Sequence, residues 1–318
     1  MAPLGQTSLD VSRVGLGLAA VGRPAYINVG HAADLAGHTG VDALRVRAHE
    51  VLDAAFASGV RYFDAARSYG RAEEFLGSWL AERGLGPPAV SVGSKWGYTY
   101  TADWRADVDV HEVKDLTLAT LRRQEQETRS HLGGALGLYQ IHSATLDSGV
   151  LEDRAVLDEL ARLRAEEGWF IGLTVTGPRQ GETVLRALEV GGFDCVQATW
   201  NVMEPSVGAA LAAAHDAGLG VIIKEGVANG RLTARGDAPL LTEVAGGLGL
   251  APDALALACV LAQPWVDVVL SGASTVEMVQ SNLAALEVEV DAATWERLAP
   301  LAEDPDTYWE ERSELAWN

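Results

Sequence analysis

The sequence predicts an α/β protein in which a closed sheet of eight parallel strands forms a (β/α)8 TIM barrel. Short apolar runs alternate with amphipathic segments along the chain, as parallel strands joined by right-handed helical crossovers require. About eight such units can be counted when residues 13–18 are taken as the first strand. The G-x-G-x-x-G turn of a competing open sheet is absent, because Gly15-Leu16-Gly17 lacks the third glycine.

The remaining elements follow without a low-complexity linker, so we expect residues 1–318 to form one barrel domain. The later strands are predicted over 60–63, 89–92, 136–141, 170–175, 193–198, 220–223 and 266–270. Apolar residues at helical spacing predict helices over 43–58, 73–82, 112–128, 151–166, 183–188, 205–217 and 252–262. One long insertion, 21–40, separates the first strand from its helix. It either faces the active site, as loops at that end of a barrel usually do, or is a solvated surface loop.

Composition restricts the class of protein. The chain is 48% hydrophobic and has a net charge of -20 without a basic stripe, which argues against disorder and against nucleic-acid or anionic-membrane partners. Cys195 and Cys259 lie in apolar runs and are expected to be reduced and buried. No signal peptide and no apolar stretch near the roughly 20 residues of a membrane-spanning helix are present. We therefore expect a cytoplasmic protein, whose oligomeric state the sequence does not indicate.

Polar residues close three of the predicted strands. Asp64, Lys95 and His142 each follow an apolar run, and Tyr69 lies in the loop after Asp64. Taken separately, Asp64 could be a helix cap and Lys95 a surface charge. His142 could be a core imidazole, and Tyr69 a ring packed under a helix. Together they predict one site, because the carboxyl ends of barrel strands converge on the same face.

These four side chains suit proton transfer. A free phenol has a pKa near 10, too high for efficient proton donation at neutral pH. The Lys95 ammonium is expected to lower the pKa of Tyr69, and Asp64 to hold Lys95 charged and oriented. His142 would donate a hydrogen bond to a carbonyl oxygen beside Tyr69.

The same residues carry a resemblance to the aldo-keto reductases that extends over nearly the whole chain. Residues 63–77 read FDAARSYGRAEEFLG and resemble the signature of that family, as do SKW at 94–96 and LYQIH at 138–142. The resemblance implies a barrel enzyme that interconverts a carbonyl and an alcohol with NAD or NADP. It makes Tyr69 the general acid or base, tuned by Lys95 and Asp64, with His142 orienting the substrate.

The cofactor elements resemble the family less evenly. VQATWN at 196–201 assigns Gln197 to the nicotinamide carboxamide, and the loop after the last strand resembles the dinucleotide phosphate loop. A helix N-terminus that exposes backbone N–H groups can bind phosphate, although a plain Ser/Thr cap is the alternative. The residues assigned to this loop and its helix are Ser271, Gly272, Ala273, Ser274 and Asn282.

Three departures from the family bear on the cofactor. Thr174-Val175 stands in place of a Ser-Asn pair, and Lys224 stands in place of the tyrosine that stacks on the nicotinamide ring. No basic residue lies between Ser271 and Asn282 to hold a 2′-phosphate, so NAD is favoured over NADP, unless Arg231 or Arg235 substitutes.

The substrate is expected to be a small carbonyl compound, such as an aldehyde, ketone or sugar. Trp96 and Tyr98, just after Lys95, are the assigned substrate residues. Two other functions remain open: a cofactor-binding regulatory barrel with little turnover, and a lyase or isomerase that uses NAD transiently. No metal site is predicted, because the seven histidines show no ligand spacing.

Overall fold

The predicted strands pair in parallel and close into a barrel in the computed structural model, which describes residues 1–318. The chain contains twelve strands. They are β1 (Ala2–Pro3), β2 (Asp10–Val11), β3 (Val14–Gly17), β4 (Tyr62–Asp64), β5 (Ser91–Trp96), β6 (Tyr98–Tyr100), β7 (Glu112–Lys114), β8 (Leu136–Ala144), β9 (Phe170–Val175), β10 (Cys195–Thr199), β11 (Gly220–Lys224) and β12 (Val268–Ser271). The barrel runs β3-β4-β5-β8-β9-β10-β11-β12, and β12 pairs with β3 to close it. The (β/α)8 prediction is therefore confirmed.

Helices connect the strands and surround the barrel. They are α1 (His31–Leu35), α2 (Val41–Ala57), α3 (Ala72–Arg83), α4 (Leu118–Leu132), α5 (Arg154–Glu167), α6 (Gln180–Val190), α7 (Gly208–Asp216), α8 (Pro239–Gly247), α9 (Pro252–Leu261), α10 (Val276–Leu283), α11 (Ala292–Leu298) and α12 (Pro305–Ser313). No single helix is long and apolar enough to cross a bilayer, although α8 and α9, bent by 88°, pass that test as a pair by length and composition.

Two segments differ from the prediction. The helix expected over 112–128 begins only at Leu118, where the Thr117 hydroxyl caps it by accepting a hydrogen bond from the backbone N–H of Thr120. The residues before it form β7, which pairs antiparallel with β6 in a hairpin at the barrel mouth. The insertion over 21–40 is not a plain loop, because it contains α1.

Strand alternation decides which side chains enter the barrel. Residues at every second strand position point inward, and Tyr62, Leu138 and Ile222 pack with the β1–β2 turn residue Leu4 in one buried cluster. Their outward neighbours pack against the helices in the larger core. The two cysteines are free and buried, as expected. Because the bottom of the barrel is filled by apolar side chains, the polar inward residues collect at the carboxyl ends of the strands.

Candidate active site

Asp64 and Lys95 form a buried ion pair at the top of the barrel. Asp64 ends β4, and Lys95 is the inward residue near the end of the neighbouring β5. The Lys95 ammonium donates to the Asp64 carboxylate and to the carbonyl oxygen of Ala65, the latter at 2.9 Å. Both side chains are at most 2% exposed. The predicted pairing of these two residues is thus present in the structure.

The Asp64 carboxylate also accepts hydrogen bonds from three neutral donors. They are the Tyr62 hydroxyl at 3.0 Å, Gln140 Nε2 at 3.2 Å and Gln197 Nε2 at 3.4 Å. A buried carboxylate needs such partners, since an unpaired charge in the interior is costly. This network fixes Gln197, the residue assigned to the cofactor carboxamide, beside Asp64.

Tyr69 lies over this ion pair because two loops approach each other closely. Gly22, in the insertion, has no room for a Cβ atom against the Tyr69 carbonyl oxygen. Gly70 adopts a left-handed conformation with φ of 60°, where a side chain would meet the Gly22 carbonyl. The Lys95 ammonium is 4.9 Å from the centroid of the Tyr69 ring. The two groups therefore lie in one site.

His142 faces Tyr69 from the opposite wall. The ring centroids are 5.5 Å apart at an interplanar angle of 84°. The ladder between β8 and β9 is irregular after Ile141, and the Ser143 N–H donates to the Thr174 hydroxyl at 2.7 Å. Such a bulge re-aims side chains at a strand end. Thr174 therefore supports the bulge that carries His142.

Burial keeps the His142 imidazole neutral. It lowers the pKa of His142 well below 6.5, and the charges of Lys95, Lys224, Arg23 and Lys114 lower it further. The Nδ1 atom has no hydrogen-bond partner within the protein. A neutral imidazole can donate one hydrogen bond to a ligand oxygen, which is the role predicted for it.

The acidity of Tyr69 is set mainly by burial. Burial raises the pKa of Tyr69 well above 10, and the Asp64 carboxylate raises it further. The opposing influence comes from Arg23, whose guanidinium lowers the pKa of Tyr69. Burial therefore outweighs the nearby cations, and the lowering of this pKa by Lys95 stays a prediction.

Arg23 is a site residue to which no strand or helix pattern points. Its guanidinium is 5.3 Å from the ring centroid of Tyr69 and 4.6 Å from that of Trp317. It pairs with Glu112 Oε2 at 2.8 Å and donates to the Ser68 carbonyl at 3.0 Å. The only signal available was its place in the long insertion. Trp317, from the tail, closes the same side of the site.

A cavity of about 500 Å³ connects Tyr69 and His142 to the N-terminus of α10. Its lining includes residues from the ends of six barrel strands and from the insertion. The predicted residues that line it are Asp64, Tyr69, Tyr98, His142, Gln197, Lys224, Ser271, Gly272 and Asn282. A second polar ring, Tyr98, is 4.9 Å from His142 between centroids. The cavity therefore has room for an elongated ligand that reaches from the proton-transfer groups to a helix N-terminus.

Five predicted residues do not line this cavity: Lys95, which is paired with Asp64, and four others. Trp96 follows the inward Lys95 and so points outward, fully buried among helix residues. Thr174 is covered by the bulge it supports. In the loop after β12, Ala273 is core, and the Ser274 hydroxyl donates to Asp34 at 3.2 Å. Direct ligand contact by these four residues is not supported.

Lys224 stands in a charged group at the end of β11. Its ammonium donates to the Thr199 hydroxyl at 2.7 Å and is 3.9 Å from Glu225 Oε1. Glu225 is instead bound by the Arg312 guanidinium, with Nε at 2.9 Å from Oε2 and Nη2 in closer contact with Oε1. The two cations lower the pKa of Glu225 to about 2, against the effect of burial. Arg312 lies in α12, which the sequence pattern did not indicate.

The two arginines considered for a 2′-phosphate have carboxylate partners. Arg231 pairs with Glu303 at 2.6 Å and Glu311 at 3.1 Å, and it does not line the cavity. Arg235 lines the cavity but pairs with Asp34 Oδ1 at 2.6 Å. Arg231 is therefore excluded as a direct cavity contact, whereas Arg235 remains near it.

Comparisons with known proteins identify the family of this chain. A model of the Aldo/keto reductase family matches residues 36–303. The chain is 24% identical to the uncharacterized oxidoreductase YrpG of Bacillus subtilis (strain 168), over 96% of this chain and 98% of that protein. The crystal structure of PA4992 from Pseudomonas aeruginosa matches with a TM-score of 0.66 and 26% identity, over 90% of this chain and 94% of the other.

A further structure, the holo form of the aldo-keto reductase AKR11C1 from Bacillus halodurans, matches with a TM-score of 0.72 over 95% of this chain and 96% of the other. At 20% identity it supports the fold. Because the family model covers most of the barrel, the chain belongs to the aldo/keto reductase family, whose members are oxidoreductases that act on small carbonyl compounds with a nicotinamide cofactor.

Proposed function

We propose that this protein interconverts a carbonyl and an alcohol with NAD(H), using Tyr69 as general acid or base. The observation that carries the proposal is the arrangement of Tyr69 and His142. Their rings pack edge-on, with centroids 5.5 Å apart, at one end of the cavity, and the Lys95 ammonium of the Lys95–Asp64 pair is 4.9 Å from the Tyr69 ring centroid. A substrate oxygen next to the Tyr69 hydroxyl and the His142 ring nitrogen would contact a proton donor and a neutral hydrogen-bond donor at once.

The residues fit a dinucleotide. The cavity continues from Tyr69 to Ser271, Gly272 and the N-terminus of α10, an arrangement suited to phosphate oxygens. Gln197 also lines this cavity. When bound, the nicotinamide supplies or accepts the hydride, and the chain provides the proton transfer.

Each polar group has a distinct part in that transfer. In reduction, the Tyr69 hydroxyl gives its proton to the substrate oxygen, and in oxidation the phenolate takes it back. The neutral His142 imidazole donates a hydrogen bond to the same oxygen and stabilises developing negative charge. Lys95 and Arg23, at 4.9 and 5.3 Å from the ring centroid, stabilise the phenolate that remains after proton donation.

The far end of the cavity favours NAD over NADP. Three carboxylates line it, those of Asp34, Asp253 and Glu277. The cation there is Arg235, which is already paired with Asp34. A 2′-phosphate adds about two negative charges, which would meet unfavourable electrostatics without a free cation to compensate.

The substrate end is polar and aromatic. Tyr98, Arg23 and Trp317 line it beside His142. These groups offer hydrogen bonds and a flat apolar surface, which suits an aldehyde, ketone or sugar with polar substituents. Tyr98 is the residue we assign to the substrate.

The test is a fluorescence titration with NAD(H) and NADP(H), followed by a carbonyl and alcohol panel with the tighter cofactor. We expect NADH to bind more tightly than NADPH, and absorbance at the reduced-nicotinamide band to change with turnover. Stoichiometric binding without turnover across the panel would favour a regulatory barrel. Conversion of substrate without net change in NADH would favour a lyase or isomerase.

A further inference from the structure

We propose that Lys224 places an uncompensated positive charge in the nicotinamide part of the cavity and thereby makes this protein bind NADH more tightly than NAD⁺. The inference rests on the proposed function, since it requires that a nicotinamide cofactor binds there. It adds an electrostatic preference between the two redox states, which differ in charge at the ring alone.

The charges around Tyr69 and His142 are nearly all paired. Lys95 contacts Asp64, and Arg23 pairs with Glu112 at 2.8 Å. The remaining carboxylate of this region belongs to Glu225, and Arg312 binds both of its oxygens. These three pairs each contain one cation and one anion.

Two lysines of this region have no carboxylate of their own. Lys114 donates to the Ser143 carbonyl oxygen at 2.6 Å and does not line the cavity, whereas Lys224 does line it. The hydrogen bond of Lys224 goes to the neutral Thr199 hydroxyl, and its contact with Glu225 is 3.9 Å long. The side chain is only 16% exposed, so water screens it weakly. Lys224 therefore leaves one positive charge in excess in the lining of this part of the cavity.

The position of Lys224 places this excess where the cofactor ring must lie. Lys224 ends β11, where it pairs with Thr199 of the neighbouring strand β10. Thr199 lies two residues beyond Gln197 on that strand. All hydride transfer requires the ring to approach the substrate carbon held at Tyr69 and His142. The charge of Lys224 already acts on His142, whose pKa it lowers.

The expected preference follows from Coulomb's law. Two unit charges about 10 Å apart, at an effective dielectric constant of about 20, interact by an energy equivalent to roughly tenfold in an equilibrium constant. NAD⁺ carries a positive ring and NADH a neutral one, whereas their phosphates and adenosine are the same. A protein that favours NADH also favours hydride moving onto the cofactor, which is the direction of alcohol oxidation.

The experiment compares the Kd of NAD⁺ with the Kd of NADH in the wild type, Lys224→Met and Lys224→Arg by isothermal titration calorimetry. Contacts shared by both cofactors cancel in the ratio of the two constants. We expect Lys224→Met to lower the ratio Kd(NAD⁺)/Kd(NADH) about tenfold, and Lys224→Arg to keep it near the wild-type value. Arg122→Met, which removes an exposed cation of α4, is the matched control and should leave the ratio unchanged.

An equal ratio in Lys224→Met and the wild type, with both cofactors bound, overturns the inference while the proposed function stands. If neither cofactor binds the wild type, both the inference and the proposed function are overturned. Should Lys224→Met not fold, the wild type alone decides, since burial lowers the pKa of Lys224 to about 8. The ratio should then fall as the pH rises from 7 to 9, and a constant ratio contradicts the inference.

The groups facing Lys224 come from four other elements and its own strand end. They are Thr199, Glu225, Arg312, Trp309, Lys95 and His142. The pKa of Glu225 is lowered to about 2 and that of His142 well below 6.5. Glu225 therefore stays charged and His142 stays neutral between pH 7 and 9. Tyr69, with its pKa raised well above 10, also stays uncharged there.

Discussion

Asp64→Asn should destabilise the protein strongly, because it leaves the Lys95 ammonium buried without a counterion. Both side chains are at most 2% exposed, so solvent cannot replace the lost carboxylate. The new amide would also place a donor against the ammonium, whose remaining acceptor is the Ala65 carbonyl at 2.9 Å. Removing one partner of a buried pair costs about 3–5 kcal/mol. At an m-value of about 3 kcal/mol/M, the urea midpoint should fall by roughly 1 M or more.

The control is the double variant Asp64→Asn with Lys95→Met. Replacing both partners removes the unpaired charge, so the double variant should unfold at a higher urea concentration than Asp64→Asn alone. Equilibrium unfolding followed by circular dichroism measures both midpoints. A loss below about 1 kcal/mol in Asp64→Asn, or a double variant less stable than the single one, would show that Lys95 does not need Asp64 as its counterion.

Substitutions of three other buried ionisable residues should change stability, pH dependence or proteolysis in a predicted direction. Burial lowers the pKa of His31 from 6.5 to about 4, so the folded state loses stability as the pH falls from 6.5 to 4. This loss should amount to roughly 3 kcal/mol and should be absent in His31→Leu. Urea titrations of both proteins at pH 6.5 and pH 4 measure it. Arg23→Met should move the pH dependence of alcohol oxidation, which needs ionised Tyr69, to higher pH, and Arg23→Lys should move it less. Glu225→Gln should weaken the attachment of α12 by about 1–3 kcal/mol and speed its cleavage in limited proteolysis, because Arg312 loses its charged partner.

The strands and the central residues were predictable because their signals are local. Apolar runs mark buried strands, and a polar residue at the inward end of each run must reach the carboxyl face of the barrel. Asp64, Lys95 and His142 satisfy this rule. The same alternation shows why Trp96 was a poor substrate candidate: adjacent residues of a strand point to opposite faces, so an inward Lys95 turns its neighbour outward.

The packing that completes the site was not predictable from local pattern. Arg23 and Trp317 come from opposite ends of the chain and meet only through tertiary packing. Glu112 lies in the β6–β7 hairpin at the barrel mouth, whose partly exposed strands have no apolar face. The sequence therefore gives no strand signal there, and the helix predicted over 112–128 includes Glu112. The raised pKa of Tyr69 depends on burial, which the spacing of residues does not report.

The most direct test of the account is Tyr69→Phe, assayed for cofactor binding and for a single turnover on the best substrate. The substitution removes the proton donor and keeps the ring that packs beside His142 and Lys95. We predict that the Kd of NADH changes little while the rate of the chemical step falls by about 10²–10⁴-fold. A Tyr69→Phe enzyme that turns over at close to the wild-type rate would contradict the assignment of Tyr69 as the proton-transfer group.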